Sequence, residues 1–295
     1  MRILMENGYN ALRSAHNPCS KALLDSCDRL GMLVMDEYVD AWYIHKTDFD
    51  YVHYFEKWWR EDLKDMVSKD YNHPSVIMYS TGNEVSETAQ KKGIRLTKEM
   101  TEYLHTLDDR PVTCGINIFF NFLSSVGFGV YNDKKAKKEV EKAGKRKAVG
   151  SEFFNNLAGL LGDNTMKLGA TLHGCDVRTR DAYAGMDIAG YNYGILRYRH
   201  DLKKYPQRLI LGSETFCKDA YTFWELAKKH RRIIGDFVWA GMDYLGEVGI
   251  GAWEYRDYAP DFSHGPGWIS AGSGRIDLTG KPLAEAAYTR VAFEL

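Results

Sequence analysis

The sequence lacks an excess of charge of either sign and any long hydrophobic run. Its 295 residues carry 39 Lys and Arg against 40 Asp and Glu, a formal net charge of −1. No general field therefore favours nucleic acid or an anionic membrane surface. No apolar run approaches the length of a membrane span, and the N-terminal MRILMENGYN does not have the pattern of a signal peptide. We expect a cytoplasmic chain that binds neither nucleic acid nor membrane.

Paired cysteine motifs are also missing. The five cysteines are Cys19, Cys27, Cys114, Cys175 and Cys217. Their number is odd, and none lies in a Cys-x-x-Cys or Cys/His ligand spacing, which argues against a disulfide framework or a zinc site. We expect mostly buried thiols.

The residues that are abundant indicate a large folded core. Hydrophobic residues make up 44% of the chain, enough for one barrel-sized domain over residues 1–295 or for two smaller ones. Aromatic residues reach 13%, with 19 Tyr and 7 Trp. They suit either core packing or stacking against sugar rings, and composition does not choose between these roles.

Short apolar runs alternate with amphipathic stretches, which is typical of a parallel sheet covered by helices. The runs that predict strands are residues 11–15, 33–38, 76–80, 111–115, 187–193, 209–213 and 234–239. Most are followed by polar residues, as in (β/α)8 barrels and doubly wound sheets. Residues 118–186 form a longer excursion, and its basic run at 134–147 has no interleaved aromatic residue, so we interpret it as a solvated face or loop.

Two carboxylates stand at predicted strand ends. Glu84 follows Asn83 in MYSTGNEVSE, and Glu214 lies in LILGSETF, about four βα units of ~30 residues further along. Across a barrel mouth, such a pair suits glycoside hydrolysis, in which one carboxyl protonates the departing oxygen and the other attacks or activates water. An amide at Asn83 would suit the sugar 2-hydroxyl. The alternative is that each Glu only caps or pairs on a rim.

Six motifs together resemble one family. RSAHNP, CDRLGMLVMDE, NHPSVIMYSTGNE, GYNYG, LILGSETF and DFVWAGMDYLGE occur in the order found in the catalytic (β/α)8 barrel of glycoside hydrolase family 2. This resemblance implies a retaining exo-β-glycosidase of the kind that includes β-galactosidases, β-glucuronidases and β-mannosidases. It also implies that Glu84 is the acid/base and Glu214 the nucleophile.

The resemblance extends to residues around the two carboxylates. Tyr193 resembles the tyrosine that bonds the nucleophile, with Tyr191 as a rival for that register. Trp239 resembles the tryptophan under the sugar. Arg13 and His16 resemble the pair that shapes the glycone pocket. Each of these could instead serve packing or capping alone.

Two acidic positions are less specific. Asp243 is a candidate for contacts with sugar hydroxyls and, equally, for an ion pair on the rim, and the same holds for Glu247. Glu37 is expected to orient its neighbours rather than to react.

The resemblance also bears on metal and on the sugar. The Glu-x-His pair that binds magnesium in some family β-galactosidases reads Glu37-Tyr38-Val39 here. We therefore expect no metal or organic cofactor. The Asn-x-Lys that binds the sugar carboxylate in β-glucuronidases is matched only by the NDK at residues 132–134, inside the excursion. A neutral glycone, above all β-galactose, is favoured.

The beginning of the chain resembles only the end of the first barrel helix. We expect the family's preceding β domains and first barrel strand to be absent, which leaves an incomplete barrel of seven strands. Either a second copy of the chain covers the open edge or the chain is a fragment of limited stability. One alternative function is a carbohydrate-binding module with weak or no turnover, and another is a β-glucuronidase or β-mannosidase of the same family.

Overall fold

The computed structural model describes residues 1–46, 50–128, 157, 160–244 and 273–294. Seven strands form one parallel sheet in which each strand pairs with the next along the chain. They are β1 Ala11–Arg13, β2 Leu33–Glu37, β3 Val76–Asn83, β4 Val112–Asn117, β5 Ile188–Asn192, β6 Leu209–Phe216 and β7 Ile233–Trp239. The predicted seven strands and their βα order are confirmed.

The sheet curls into a nearly closed barrel with a single seam, between β1 and β7. Within the described residues, the ladder pairs run from β1 to β7 without a pairing between these two ends. Side chains nevertheless meet across the gap. The rings of His16, just after β1, and Trp239, at the end of β7, stack with centroids 5.2 Å apart. Before β1, the Tyr9 hydroxyl lies 3.0 Å from Thr289 Oγ1 on the helix Ala284–Ala292 and so joins the two ends of the described chain.

Helices cover the outside of the sheet. They are α1 Arg2–Glu6, α2 Lys21–Leu30, α3 Val52–Asp70, α4 Lys91–His105, α5 Ile118–Ser125, α6 Asp163–Gly169, α7 His173–Tyr183, α8 Tyr198–Lys204, α9 Ala220–Ala227 and α10 Ala284–Ala292. Short 3₁₀ turns occupy Ser86–Ala89, Ile195–Arg197 and Cys217–Asp219. Helices α5, α6 and α7 lie within the predicted excursion, whereas its basic run is outside the described residues.

Local sequence signals account for both ends of α2. The Ser20 hydroxyl oxygen accepts a hydrogen bond from the amide of Leu23 at the start of α2. Gly31 ends this helix with φ 76°, a left-handed conformation that costs a glycine little. The buried residues Leu24 and Cys27 face the sheet. This helix therefore begins and ends where its sequence indicates.

The main core lies between the sheet and its helices, with large contributions from Trp42, Phe55 and Leu63, all fully buried. A smaller apolar cluster of Met35, Met78, Ile188 and Leu211 fills the barrel interior. All five cysteines are buried free thiols, as predicted. No helix in the described part of the chain combines the length and the apolar character needed to cross a membrane.

Three strands run further than the sequence predicted. β3 continues to Asn83, β4 to Asn117 and β6 to Phe216. The predicted strands ended at residues 80, 115 and 213, before the polar residues Asn83, Asn117 and Glu214, and unpaired polar groups are costly to bury. In the structure these polar ends bond to one another across the barrel mouth. They can therefore remain in buried strands.

Candidate active site

The carboxylate pair, Glu84 and Glu214, lies at the carboxyl-terminal mouth of the barrel. Glu84 directly follows β3, and Glu214 lies within β6. One side chain touches both, since Asn192 Nδ2 donates to Glu84 Oε1 at 3.0 Å and to Glu214 Oε2 at 3.4 Å. These two carboxylate oxygens are thus no farther apart than the two hydrogen bonds laid end to end. The predicted meeting of the two carboxylates is present in the fold.

Glu214 is held by donors on both oxygens. Tyr193 donates its hydroxyl to Oε1 at 2.5 Å, and Arg13 Nη1 donates to Oε2 at 2.9 Å. The side chain is 8% exposed, so water screens the ion pair weakly. Burial and the charge of Glu214 raise the pKa of Tyr193 well above its usual value, which keeps this hydroxyl a donor. Glu214 is therefore a fixed, paired carboxylate.

Glu84 has a different environment. Its Oε1 accepts from Asn192 and also from Asn117 Nδ2 at 3.1 Å. Burial, followed by the negative charge of Glu214, raises the pKa of Glu84, while Lys46 and the two amides act in the opposite direction. A carboxyl whose pKa is raised beside a carboxylate that is held by cation and hydroxyl is the arrangement suited to acid catalysis.

The Arg13 guanidinium donates hydrogen bonds to several acceptors of the site. Its Nε and Nη2 donate to Glu37 at 2.8 and 3.0 Å, and Nη1 also reaches the Ser213 carbonyl at 2.8 Å. Burial alone would raise the pKa of Glu37. The charge of Arg13 and hydrogen bonds from His16 and Ser80 lower it to about 2. Glu37 thus accepts hydrogen bonds from Arg13 and Ser80 and contacts His16, and its orienting role stays a prediction.

Asn83 is engaged on both ends of its amide. Its Oδ1 accepts from Arg13 Nη2 at 2.8 Å and from Asn192 Nδ2 at 2.9 Å. Its Nδ2 donates to Asp40 Oδ1 at 3.0 Å, and that same oxygen accepts from Lys46 Nζ at 2.7 Å. Lys46 also donates to the Asn83 carbonyl at 2.6 Å. The carboxylate of Asp40 is 43% exposed, so this chain of contacts ends at the solvent.

His16 connects the site to the seam. Its Nδ1 lies 2.7 Å from Glu37 Oε1, and its ring stacks on Trp239 with an interplanar angle of 1°. Burial disfavours the charged ring, but the hydrogen bond to Glu37 and the charges of Asp40 and Glu37 outweigh it and raise the pKa of His16. His16 therefore links the Glu37 carboxyl group to the ring of Trp239 across the seam.

Comparison with known proteins identifies the chain's relatives. A family model described as "Glycosyl hydrolases family 2, TIM barrel domain" matches residues 1–152, about half of the sequence. The chain belongs to glycoside hydrolase family 2. This match confirms the resemblance that the motifs carried and the barrel that the strand pattern predicted.

Individual family 2 relatives are much longer than this chain. A crystal structure of a glycosyl hydrolase family 2 member from Bacteroides cellulosilyticus is 34% identical, with a TM-score of 0.70, and the match covers 97% of this chain and 29% of that one. "Beta-galactosidase BoGH2A" of Bacteroides ovatus is 40% identical over 40% of this chain and 18% of its own length. A "Putative beta-glucuronidase" of Formosa agariphila is 25% identical over 85% of this chain and 23% of its length.

The fold brings most of the predicted site residues together. Arg13, Asn83 and Tyr193 bond directly to one another or to the carboxylate pair, and His16 and Trp239 form the adjoining stack. Tyr191, the rival of Tyr193, instead donates to buried Asp201 at 2.6 Å, away from the pair. Tyr193 is therefore the tyrosine that the geometry places at Glu214.

Asp243 lies in a different setting. Its Oδ1 accepts hydrogen bonds from the backbone amides of Ser273 and Gly274, each at 3.2 Å. These contacts tie the end of β7 to the last described segment. Glu247 and the NDK at 132–134 lie outside the described residues.

Sequence reasoning missed four residues of the site: Asn192, Asn117, Asp40 and Lys46. Asn192 and Asn117 are the last residues of β5 and β4, so the polar strand end that singled out Asn83 could have found them. Asp40 and Lys46 lie in the loop after β2 and carry no comparable pattern. A possible metal-binding group is separate from these residues: Asp25 and Asp28 lie on α2, and His73 lies three residues before β3, at the end of that strand opposite to Asn83.

Proposed function

We propose that this chain is the catalytic barrel of a retaining exo-β-glycosidase that acts on β-galactosides. The observation that carries the proposal is the carboxylate pair, bridged by one amide and held in two unlike environments. Retaining glycosidases separate their carboxyl groups by about 5–5.5 Å, and inverting ones by about 6.5–9.5 Å. A single Asn192 nitrogen within hydrogen-bond reach of both Glu84 and Glu214 favours the shorter separation.

The reaction would proceed by double displacement. Glu84 donates its proton to the glycosidic oxygen as Glu214 attacks the anomeric carbon, so the aglycone leaves as an alcohol and a glycosyl-enzyme ester forms. Glu84, now a carboxylate, takes a proton from water as that water attacks the same carbon. The ester bond breaks, Glu214 is regenerated, and the sugar leaves with its original configuration. The raised pKa of Glu84 suits the first step, because its carboxyl must hold a proton.

The stack of His16 and Trp239 gives the proposed pocket an aromatic wall beside the pair. Aromatic faces pack well on the apolar faces of sugar rings. In this proposal the Asn83 amide forms a hydrogen bond with the sugar 2-hydroxyl, after small shifts of its present hydrogen bonds. Asp243 is proposed to contact sugar hydroxyls from the segment that follows β7, where its Oδ1 also accepts hydrogen bonds from the backbone amides of Ser273 and Gly274.

Charge supports a neutral glycone over a uronic acid. Among the described residues, the Arg13 and Lys46 cations that bond into the site already pair with the carboxylates of Glu37 and Asp40. Asp40 presents a partly exposed carboxylate beside Asn83, where a second carboxylate on the sugar would meet like charge. β-Glucuronides are the second candidate, since several relatives bear the name beta-glucuronidase.

The test is initial-rate hydrolysis of nitrophenyl β-glycosides by the purified chain, with galactoside, glucoside, mannoside and glucuronide compared. Glu214→Gln is the matched control, because it preserves shape and removes the nucleophile. Proton NMR of the first-formed sugar distinguishes retention, which gives the β anomer, from inversion. Turnover of the galactoside that Glu214→Gln abolishes supports the proposal. Equal rates in both proteins on every sugar would leave a carbohydrate-binding module, which calorimetry with the same sugars would detect.

A further inference from the structure

The Asn192 side chain bonds to both members of the carboxylate pair, although the pairing of β5 with its neighbours uses only the backbone. Its Nδ2 carries two hydrogens and has three acceptors, Asn83 Oδ1 at 2.9 Å, Glu84 Oε1 at 3.0 Å and Glu214 Oε2 at 3.4 Å, so one hydrogen is shared between two of them. Its Oδ1 accepts from the Ser213 hydroxyl at 2.7 Å. The residue is 1% exposed, so none of these contacts competes with bulk water.

The orientation of this amide is fixed by its surroundings. The three oxygens around Nδ2 comprise two carboxylate oxygens and one amide oxygen that already accepts from Arg13. Turning the amide over would place its oxygen against all three acceptors, which is unfavourable. The donor therefore points between the carboxylates, while Ser213 secures the opposite end.

The two oxygens of Glu84 differ as a result. Oε1 accepts two amide hydrogens, one from Asn192 and one from Asn117. Within the described residues, the hydrogen bonds to the Glu84 carboxyl group are all at Oε1. An oxygen that accepts two donors is a poor place for a proton, so the acid form carries its hydrogen on Oε2.

We propose that Asn192 is a positioning residue for both carboxylates: its amide sets the spacing between Glu84 and Glu214 and leaves Glu84 Oε2 as the oxygen that exchanges the proton. This inference rests on the proposed glycosidase function. Asn192 would contribute to both halves of the reaction, because its amide bonds the acid/base and the nucleophile. It also accepts a hydrogen bond from Ser213, the residue before the nucleophile.

Asn117 provides a matched comparison, since it bonds Glu84 but has no recorded bond to Glu214. Its Oδ1 also caps α5 by accepting from Phe120 N at 3.2 Å. Asn117→Ser keeps a capping hydroxyl and removes the amide that reaches Glu84. Asn192→Ala removes the contacts to both carboxylates. Asn192→Asp preserves the shape and replaces the donor with an acceptor, and it serves if the alanine variant does not fold.

The first measurement compares leaving groups. A dinitrophenolate departs without a proton, so kcat/KM for a dinitrophenyl glycoside depends on the nucleophile and little on the acid. We expect Asn117→Ser to lose clearly less on this substrate than Asn192→Ala, because the Asn117 amide bonds Glu84 and not Glu214. Asn192→Ala should lose on the order of a hundredfold, because the nucleophile is misplaced. Equal values for wild type and Asn192→Ala, with both folded, would overturn the inference.

The second measurement does not need turnover. Carbon-13 NMR of labelled glutamate carboxyls, with Glu84 assigned from Glu84→Gln, follows its titration directly. Losing a donor that favours the carboxylate should move the Glu84 midpoint to higher pH in Asn192→Ala, Asn192→Asp and Asn117→Ser. An unmoved midpoint in the Asn192 variants refutes the positioning role. A wild-type chain that hydrolyses no glycoside refutes the proposed function instead, and the titration still decides the role of Asn192.

Discussion

Replacing Asp236 with asparagine should change how the stability of this chain depends on pH. Asp236 lies on β7, where its Oδ2 accepts from the Thr215 hydroxyl at 3.0 Å. Its Oδ1 is buried without a hydrogen-bond partner among the described residues. Burial, opposed by the bond from Thr215 and aided by the charge of Asp219, raises the pKa of Asp236 from 3.8 to about 7.

The sign of the effect follows from which state holds the proton. Between pH 3.8 and 7 the folded chain keeps Asp236 protonated, whereas the unfolded chain releases the proton. The free energy of unfolding therefore falls as pH rises, by up to about 1.4 kcal/mol per pH unit. Over about three pKa units the loss reaches roughly 4 kcal/mol, complete above pH 7 and absent below 3.8.

An asparagine side chain is neutral at every pH, so the substitution Asp236→Asn removes this loss. Urea unfolding at intervals from pH 4 to pH 8 gives both stability curves, and subtracting wild type from the variant cancels other titrating groups. We expect the difference to rise in favour of the variant by a few kcal/mol and to level off near pH 7. A difference that stays constant across the range would refute the assignment of a buried, protonated carboxyl.

Three further predictions concern the site, the core and the seam. Tyr193→Phe should lower kcat/KM for the best glycoside about 10- to 100-fold, because it removes a hydrogen bond to charged Glu214. Tyr191→Phe should leave kcat/KM nearly unchanged, and equal losses in the two variants would contradict the placement of Tyr193 at Glu214. Trp42→Ala should lower the free energy of unfolding, measured in urea, by about 3–5 kcal/mol, because a fully buried ring and its hydrogen bond to the Thr81 carbonyl are lost. A decrease of less than about 1 kcal/mol would be inconsistent with that burial. The unpaired edges at the seam should promote self-association of the chain, visible as a dimer in sedimentation velocity; a monomer at all concentrations would exclude a second copy at that edge.

Much of the fold could be predicted from periodicity. The apolar runs specified seven strands because buried parallel strands need continuous hydrophobic residues. Their exact ends could not be predicted, since Asn83, Asn117 and Glu214 are polar residues that the barrel mouth buries in mutual hydrogen bonds. That compensation involves residues far apart in sequence, which no local pattern contains.

The site residues likewise comprise some that the sequence could identify and some that it could not. Glu84 and Glu214 could be identified because both stand at strand ends and match family motifs. Asp40 and Lys46 could not, because a loop after β2 has no fixed periodicity and its side chains find their partners only on folding. Asn192 was passed over although it adjoins Tyr193, since its importance lies in the two carboxylates that it bridges.

By itself the sequence determined the order of the strands and which residue types stand at their carboxyl ends. Only the tertiary structure decided which of those side chains meet at the barrel mouth. Successive side chains on a strand point to opposite faces, yet Asn83 and Glu84 both enter the site, as do Asn192 and Tyr193. Glu84 and Tyr193 have φ of 46° and 54°, left-handed conformations that break the alternation. Such conformations cost about 1–3 kcal/mol each, and the surrounding hydrogen bonds hold them in place.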